Sequence, residues 1–467
     1  MSKPAYFGKI PLEKAVLKLL SFFTKIYPNE IKLTLSLFFT VFILLMAYYL
    51  AKPVRESWLA VSVISDLSKI EVKAYSGFLQ SIVLIALLPL YSKLFDRLPR
   101  GKLLVNVNLF FILLFPVFWV LRPGFLSEQI PFSGVAFYIW IGIFAVFVIA
   151  QFWSFAADLY DEDSGKRLFP LIALGATSGA VVGSMLSAYL LKDMAFDSYD
   201  MLLIAPIPLL IGTLSIYYID RNITEHSKEY AIASSTPIHS QNSNSSWKII
   251  LNNRYLFLIA VFIFLLNLVT TNGENILFAA IQESIAQEHN FSALSIEEGN
   301  RILKNSTAEF YSRMYFWVNL ISMILQAFIV SRILLYGGVA GILLIPPFVS
   351  LASYAAMSSV SGLSVLSVAK TAENATNYSI TNTARHILWL PVTREALYKA
   401  KTTIDTMCVR FADGFAALTV IVGTRALSLN TQHFFIFNMV IIIVWVYIAV
   451  LIIRERRLIS AHHEDVR

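Results

Sequence analysis

The sequence predicts an all-α polytopic membrane protein with about twelve transmembrane helices in two pseudo-symmetric six-helix bundles. Its composition supports this fold class, because hydrophobic residues make up 57% of the 467 residues and charged residues only 14%. The apolar residues fall in repeated runs of about 18 or more, the length at which one helix crosses a bilayer. Because these runs do not alternate apolar and polar positions, a membrane β-barrel is disfavoured.

The apolar runs define the elements along the chain. Residues 1–30 are basic with apolar residues near helical spacing, which favours a cytoplasmic amphipathic segment over a transit peptide. Twelve spans follow, with approximate limits from a window of about 19 residues. The predicted spans are 31–51, 74–94, 103–121, 132–157, 168–191, 201–219, 255–281, 308–330, 338–357, 363–390, 407–427 and 434–453.

A polar segment divides these spans into two groups of six. Residues 220–254 include a run rich in Ser and Asn that cannot bury a core, which predicts a flexible cytoplasmic linker. The linker separates an N-terminal bundle at 31–219 from a C-terminal bundle at 255–453. Residues 454–467 are then a cytoplasmic tail.

Basic residues concentrate in alternate loops, and this sets the expected orientation. The loops and termini that carry them contain Lys3, Lys9, Lys14, Lys18, Lys25, Lys93, Arg97, Arg100, Lys102, Arg394, Lys399, Lys401, Arg454, Arg456 and Arg457. The other loops are neutral or acidic. By the positive-inside rule both termini are cytoplasmic, which requires an even number of spans. The formal net charge of +7 is typical of such loops and does not indicate nucleic-acid binding.

Charged residues end the first predicted span. Lys52, Arg55 and Glu56 share one helical face, and Pro53 can break the helix there. Ionisable residues within spans cost about 2.5 to 3.5 kcal/mol each on insertion scales and usually face a polar cavity. The alternative is that residues 31–51 already cross the membrane and these charges are interfacial.

The fifth span carries a doubled Gly-x-x-x-Gly pattern at Gly175, Gly179 and Gly183. Small residues at this spacing allow two helices to approach closely. We expect a structural role for this face, in contact between the two bundles.

Polar groups interrupt the spans of the C-terminal half as well. Glu274 lies between apolar stretches of the seventh span, where it is either a coupling group or the end of a short helix. The tenth span contains Lys370, Glu373, Asn377, Tyr378 and Arg385, and the eleventh contains Arg410 and Asp413. Lys370–Glu373 and Arg410–Asp413 have the spacing of ion pairs within one helix, but even paired charges must face a wet or protein-lined interior.

The cations of both halves suit an anionic substrate in a shared cavity, since guanidinium binds phosphate bidentately and lysine acts as a point charge. Tyr49 and Tyr378 are able to stack on a ring of the substrate, although interfacial anchoring is the commoner role of such residues. The single cysteine, Cys408, excludes an internal disulfide. The sequence contains no Walker loop, catalytic triad or metal-ligand cluster, so we expect neither a cofactor nor an enzyme.

The loop at residues 91–102 resembles the acidic–basic loop signature of the major facilitator superfamily. In that family the loop braces helices on the cytoplasmic side. The resemblance therefore implies the major facilitator fold and a gating role for Asp96 and Arg97.

Three further stretches resemble the ATP/ADP translocase family and its short bacterial relatives. They are residues 49–56, residues 152–158 with 165–169, and residues 394–401 with 404–405. This resemblance implies a nucleotide or similar phosphorylated solute in a central cavity, and a bacterial cytoplasmic membrane. Arg55 falls where the translocases carry a first-helix lysine, and Asp158, Lys166 and Lys401 belong to the matched segments, where we expect coupling or gating roles.

We therefore predict a monomeric secondary active transporter that works by alternating access on a nucleotide or another anionic metabolite. The basic groups would hold the substrate, and Glu56, Glu274, Glu373 or Asp413 would couple the cycle. One alternative is a proton-coupled exporter of non-phosphorylated organic compounds. Another is a membrane scaffold or receptor that transports nothing.

Overall fold

The computed structural model describes residues 26–64, 66–95, 100–127, 130–222, 243–359, 362–392, 400–401 and 403–465. Within these residues the regular structure is entirely helical. The helices of the N-terminal half are α1 Ile31–Val61, α2 Lys69–Phe95, α3 Arg100–Val120, α4 Ser133–Ala157, α5 Glu162–Lys192 and α6 Pro206–Asn222. A 3-10 turn, Ser198–Asp200, and a short helical turn, Met201–Ile204, lead into α6.

The C-terminal half contains a second set of six long helices, several of them continued by a π-helical turn. They are α7 Arg254–Glu288, α8 Ile296–Ile324 with Leu325–Ile329, α9 Val330–Ser359, α10 Leu363–Thr376 with Asn377–Thr381 and Asn382–Ile387, α11 Val409–Ile421 with Ile404–Cys408 and Val422–Ala426, and α12 Thr431–Asp465. A short helix, Ser243–Asn252, precedes them.

The helices account for the predicted spans. Among the described residues, ten segments are long and apolar enough to cross a membrane. One of them, Ile296–Ser359, contains two predicted spans, which are separated by a kink at Gly338, where φ is +57°. Glycine adopts this backbone conformation without strain. Helix α10 is not among the ten, because it carries the many polar groups noted above. The protein is thus a multi-pass integral membrane protein.

The ends of the helices define two faces of the molecule. The terminal face is the one at which α1 begins and α12 ends, and the far face is the opposite one. At the terminal face Glu30 pairs with Arg167 at the start of α5, and Arg254 at the start of α7 pairs with Glu455 near the end of α12. Helices that begin at one face therefore alternate with helices that begin at the other.

Helix α1 does not end at residue 51 as predicted from its apolar run. It continues through Pro53 to Val61, so Pro53 does not break it. A proline in a helix removes one backbone hydrogen bond, and packing against neighbouring helices compensates for that loss in membrane proteins. Here α1 packs against α4, α5, α6 and α8.

The glycine face of α5 packs closely, but within one bundle and not between the two as expected. Gly175, Gly179 and Gly183 lie against the backbone of α1, and a Cβ at Gly179 would be 2.0 Å from the carbonyl oxygen of Phe42. Both helices belong to the N-terminal bundle. The contact between bundles involves another part of α5, where Ser187 shares a hydrogen bond of 2.9 Å with Ser312 of α8.

Two segments predicted to lie outside the bundles are partly helical. The second part of the linker forms the helix Ser243–Asn252, in which Ile250 is buried in the apolar core. Helix α12 also continues to Asp465, through most of the expected tail. The expected N-terminal amphipathic segment lies almost wholly outside the described residues.

Candidate functional site

The charges at the end of the first predicted span point inward and not to a membrane boundary. Arg55 Nη2 lies 2.5 Å from Glu56 Oε1, and the ammonium of Lys73 on α2 contacts the other carboxylate oxygen. The side chain of Glu56 is fully buried. Tyr138 of α4 covers both cations, with its ring centroid 4.5 Å from the Arg55 guanidinium and 4.6 Å from Lys73 Nζ. One carboxylate therefore pairs with two cations, which leaves this cluster a formal charge of +1.

Lys52 has a different environment from these paired cations. Its side chain is 8% exposed, and its ammonium lies 3.9 Å from the ring centroid of Tyr315 and 5.1 Å from that of Tyr49. Tyr315 belongs to α8, so Lys52 of the N-terminal bundle contacts the C-terminal bundle directly. Among the described residues, no carboxylate oxygen lies within 4.0 Å of its ammonium. Aromatic faces stabilise the ammonium but leave its N–H donors without a carboxylate acceptor.

The C-terminal bundle contributes a second buried charge cluster. Lys370 Nζ lies 2.8 Å from Glu373 Oε2 and 3.5 Å from Glu274 Oε1. Tyr354 of α9 donates a hydrogen bond of 3.3 Å to Glu373, and Asn374 donates one of 3.3 Å to Glu274. Because Lys370 and Glu373 are both fully buried, their charges depend on each other and on these hydrogen bonds.

Gly273 of α7 makes room for this second cluster. A Cβ at this position would lie 1.7 Å from the Tyr354 hydroxyl and 2.9 Å from Lys370 Nζ. Only a residue without a side chain therefore lets α9 and α10 bring these polar groups against α7. Sequence reasoning did not select Gly273, because a lone glycine in an apolar helix has many possible roles.

The two clusters lie close together between the bundles, because Glu274 is an electrostatic neighbour of Lys52, Glu56 and Lys73. The space that they border is called the central cavity below. Tyr378 of α10 is 46% exposed although it lies well inside its span, and its electrostatic neighbours include Glu274 and Tyr48. Glu274 is itself 28% exposed. Towards the far face, by contrast, Glu56 and Trp58 are fully buried. The accessible side of the cavity is thus the terminal-face side.

Ion pairs between the bundles close the far face. Lys304 at the start of α8 lies 2.5 Å from Asp197 in the loop before α6. Arg425 at the end of α11 lies 2.7 Å from Glu71 at the start of α2, and it also donates to the carbonyl of Asp66. Each pair joins the N-terminal bundle to the C-terminal bundle.

Asp413 forms a further polar contact between the bundles, at mid-depth. It accepts hydrogen bonds from Ser81 of α2 at 2.7 Å and from Thr271 of α7 at 3.0 Å. Arg410 lies 3.2 Å from the same carboxylate. The predicted pair Arg410–Asp413 therefore exists, but it forms its own cluster with Ser81 and Thr271.

Arg385 was predicted to lie in the central cavity, but the structure places it elsewhere. It lies 3.1 Å from Asp405, towards the terminal face. At about 1.5 Å per residue, its position on α10 is roughly 22 Å from that of Lys370, which explains the separation. Asn377, by contrast, lies next to Tyr378 and accepts a hydrogen bond of 3.1 Å from Thr381.

The remaining predicted residues lie at or near the terminal face, or cannot be placed. Asp158 is exposed at the end of α4, and Lys401 is an electrostatic neighbour of His386. The side chain of Lys166 and the whole of Asp96 and Arg97 lie outside the described part of the chain.

Several residues of the cavity were missed by sequence reasoning. Lys73 was left in a loop, because the second span was predicted to begin one residue later. The tyrosines Tyr138, Tyr315 and Tyr354 carried no signal that separates them from other aromatic residues in the spans. The clearest available signal was Lys73, a cation directly before an apolar run. The start of that helix was also visible, because Ser68 and Glu71 have the spacing of a capping box, and the Ser68 N–H donates a hydrogen bond to the Glu71 carboxylate.

Several solved transporter structures have the same helical architecture as this chain. A POT family transporter, PepTSo, superposes with a TM-score of 0.61 at 11% identity, covering 93% of this chain and 99% of that chain. The nucleoside transporter NupG gives 0.60 at 13% identity, over 90% and 99% of the two chains. A bacterial homologue of the iron transporter ferroportin gives 0.58 at 14% identity, over 90% and 98%. The fold is that of these major facilitator transporters.

Sequence comparison adds the family. The ADP,ATP carrier protein 1 of Chlamydia pneumoniae is 20% identical over 494 aligned positions, which cover 93% of each chain. The model of the TLC ATP/ADP transporter family matches residues 130–456, well over half of this chain. This is a family of transporters and not of enzymes. Because this match covers more than half of its length, the chain belongs to the TLC ATP/ADP transporter family.

Proposed function

We propose that this protein is a secondary active transporter that exchanges ATP/ADP-type nucleotides, or another phosphorylated metabolite, by alternating access. We further propose that it acts as a monomer in the cytoplasmic membrane of a bacterium, with its terminal face towards the cytoplasm. The family and the name of the chlamydial relative support the nucleotide. The distribution of Lys and Arg among the loops supports the orientation.

The observation that carries this proposal is the environment of Lys52. A buried ammonium with ring faces around it and, in the described part of the chain, no carboxylate oxygen within 4.0 Å is well suited to receive an anion. The neighbouring guanidinium of Arg55 adds a planar donor group that matches phosphate oxygens. Tyr48, Tyr49 and Tyr378 offer aromatic faces beside these cations, on which a base is able to stack.

The carboxylates of the cavity offset the cost of burying its paired cations. Glu56 pairs with Arg55 and Lys73, while Glu274 and Glu373 pair with Lys370, so the two clusters have formal charges of +1 and −1. An anionic substrate competes with these carboxylates for the cations. Glu274 is 28% exposed, whereas Glu56 and Glu373 are fully buried, so Glu274 is the carboxylate that a substrate displaces most easily. It is our first candidate for the coupling group.

Uptake of labelled ATP into proteoliposomes loaded with ADP tests the proposal. We expect saturable uptake by the wild type and a loss of about tenfold or more in Lys52→Met, because a charge-assisted hydrogen bond contributes about 1.5–3 kcal/mol. Lys32→Met is the matched control. Lys32 lies on the same helix with its ammonium 5.7 Å from the Tyr218 ring centroid, but it is exposed.

Two results would reject the nucleotide proposal. One is the absence of uptake of ATP or any other phosphorylated solute. The other is equal uptake by the Lys52→Met and Lys32→Met variants.

The alternative is proton-coupled export of non-phosphorylated compounds, and the position of Glu274 favours it. This carboxylate faces the cavity and also contacts Lys370, so it is able to exchange a proton with cavity water. The alternative predicts transport of an organic compound that follows an imposed pH gradient and is abolished in Glu274→Gln. It also predicts that ADP loading has no effect on this transport.

A further inference from the structure

A groove of about 920 Å³ runs along the C-terminal bundle between α8, α9 and α10. It begins near the end of α7 at the far face, and on α10 it extends from Leu363 to Thr376. At about 1.5 Å per residue, that stretch is roughly 20 Å long. A single leaflet with its headgroups is also about 20 Å thick. The groove thus matches the depth of one leaflet.

The groove faces away from the transport cavity. Arg313 and Trp317 line it, and each is two residues from Tyr315, which faces Lys52. Two residues correspond to about 200° around a helix, so the groove occupies the opposite side of α8. Arg313 is 56% and Trp317 49% exposed, although both belong to a span. The groove therefore opens laterally to the bilayer.

The lining changes from charged to apolar along the groove. Its far-face end contains charged and polar side chains, including Glu288, His289 and Glu309. Its deep end contains the apolar side chains of Ile321, Leu325 and Ala372, together with Thr376, whose hydroxyl donates a hydrogen bond to the Ala372 carbonyl. A molecule that fills it must have a polar head at the membrane surface and an apolar tail in the hydrocarbon region, which describes a membrane lipid.

The order of the charges identifies the headgroup. Glu309 lies on the outer side and Arg313 lies one helical turn deeper, with 3.5 Å between Arg313 Nη1 and Glu309 Oε1. In phosphatidylethanolamine the phosphate likewise lies deeper and the ammonium lies outside it. We propose that this groove binds one phosphatidylethanolamine of the far-face leaflet, with its phosphate on Arg313 and its ammonium on Glu309.

Other common headgroups match this arrangement less well. The quaternary ammonium of phosphatidylcholine has no N–H to donate to Glu309, and phosphatidylglycerol has no cation at all. All three lipids carry the phosphate that Arg313 receives. The groove should therefore prefer phosphatidylethanolamine through Glu309 and bind phospholipids in general through Arg313.

Native mass spectrometry of the delipidated full-length protein tests the proposal. The probes are phosphatidylethanolamine, phosphatidylcholine and phosphatidylglycerol with identical acyl chains, each added separately. We expect one tightly retained phosphatidylethanolamine in the wild type. Glu309→Gln should weaken its retention about tenfold while leaving the other two lipids unchanged, because it removes one charge-assisted hydrogen bond. Arg313→Gln should weaken all three.

Controls separate the headgroup effect from unfolding. Arg301→Gln, an exposed arginine on the same helix that does not line the groove, should bind lipid as the wild type does. Glu309→Asp keeps the charge and should keep the preference. Equal retention of the three lipids by the wild type would overturn the proposal, and so would an unchanged preference for phosphatidylethanolamine in a folded Glu309→Gln variant.

Discussion

At the scale of residues, the buried charges of the cavity depend on their ion-pair partners. The clearest case is Glu56, a fully buried carboxylate that contacts both Arg55 and Lys73. Charges removed from water remain favourable only while they are paired and hydrogen-bonded. Glu56 is therefore the group whose loss leaves the most uncompensated charge.

We expect Glu56→Gln to lower the free energy of unfolding by about 3 kcal/mol, because two buried cations lose their counter-charge. Thermal unfolding of the detergent-purified protein measures this loss. Adding Lys73→Met to Glu56→Gln should restore part of the stability, since it removes one of the unpaired cations. Glu297→Gln, at an exposed position of α8, is the control and should unfold as the wild type does. A Glu56→Gln variant as stable as this control would contradict the expectation.

A carboxylate outside the spans gives a prediction for pH. Burial raises the pKa of Glu30, but hydrogen bonds from Arg167, the Tyr27 N–H and Ser164 outweigh it and lower the pKa below the usual 4.5. A lowered folded-state pKa contributes stability above the unfolded-state value, and this contribution is lost as the pH falls through the folded-state value.

The wild type should therefore melt at a higher temperature than Glu30→Gln at pH 7. The difference should shrink once the pH falls below about 4.5, the usual pKa of this carboxyl. Melting temperatures of the two proteins across a pH series check this. A difference in melting temperature that stays constant down to the lowest pH would show that the contribution of Glu30 to stability does not depend on its charge.

At the scale of elements, α1 and α5 pack closely because the glycines on one face of α5 have no side chains. Gly175, Gly179 and Gly183 let the backbones approach until a Cβ would meet the carbonyl oxygens of Phe38, Phe42 and Met46. The clash at Gly179 involves backbone, so no side-chain rotation relieves it.

Gly179→Ala should destabilise the protein by about 1–3 kcal/mol, the usual cost of overpacking. Gly165→Ala in the first turn of the same helix is a matched control, because its added Cβ would be 3.8 Å from the nearest atoms, the Phe169 ring. Comparing the melting temperatures of the two variants tests the expectation. Equal melting temperatures would mean that α1 and α5 move apart to accommodate the added methyl group with no loss of stability, which would contradict the expectation.

The sequence predicted the helices better than their contacts. Apolar runs of membrane length predicted the long helices. The span predicted at 363–390 coincides with α10, although its many polar groups keep α10 out of the ten segments that are apolar enough to cross a membrane. The glycine face of α5 was also visible, but one sequence does not say which helix faces it. Helix α1 was predicted ten residues too short, because charges at Lys52 and Arg55 look like a membrane boundary unless other helices bury them.

The site was predictable where charge interrupts an apolar run. This signal selected Lys52, Glu56, Glu274, Lys370 and Glu373, which the structure brings to one cavity. It failed for tyrosines and glycine, whose roles depend on neighbours from other helices. It also misplaced Arg385, because spacing along one helix does not give depth relative to a cavity.

At the scale of the whole molecule, polar contacts hold the two bundles together at the far face. Lys304–Asp197 and Arg425–Glu71 join the bundles there, and Asp413 joins them at mid-depth. The cavity is accessible from the other side. Under the alternating access proposed above, the far-face pairs must break before the substrate reaches the opposite surface.

Removing both far-face cations, Lys304→Met with Arg425→Met, should favour the state that is open at the far face. A cysteine at position 57, buried near Ser198 in this state, reports the change in a Cys408→Ser background. We expect its labelling by a membrane-impermeant maleimide to rise several-fold. Arg301→Met, also at the far face, should leave labelling unchanged. The same labelling in the double variant and the control would exclude these pairs as gates.

The charges around the cavity also have an electrical consequence. Four cations and three carboxylates line it, which gives a formal sum of +1. They are Lys52, Arg55, Lys73, Lys370, Glu56, Glu274 and Glu373. The nucleotide proposed above as the substrate has several negative charges, and its binding would reverse that sum. One elementary charge that crosses a 100 mV potential changes the energy by about 2.3 kcal/mol. A membrane voltage should therefore shift the conformational equilibrium of the substrate-bound protein and that of the substrate-free protein in opposite directions.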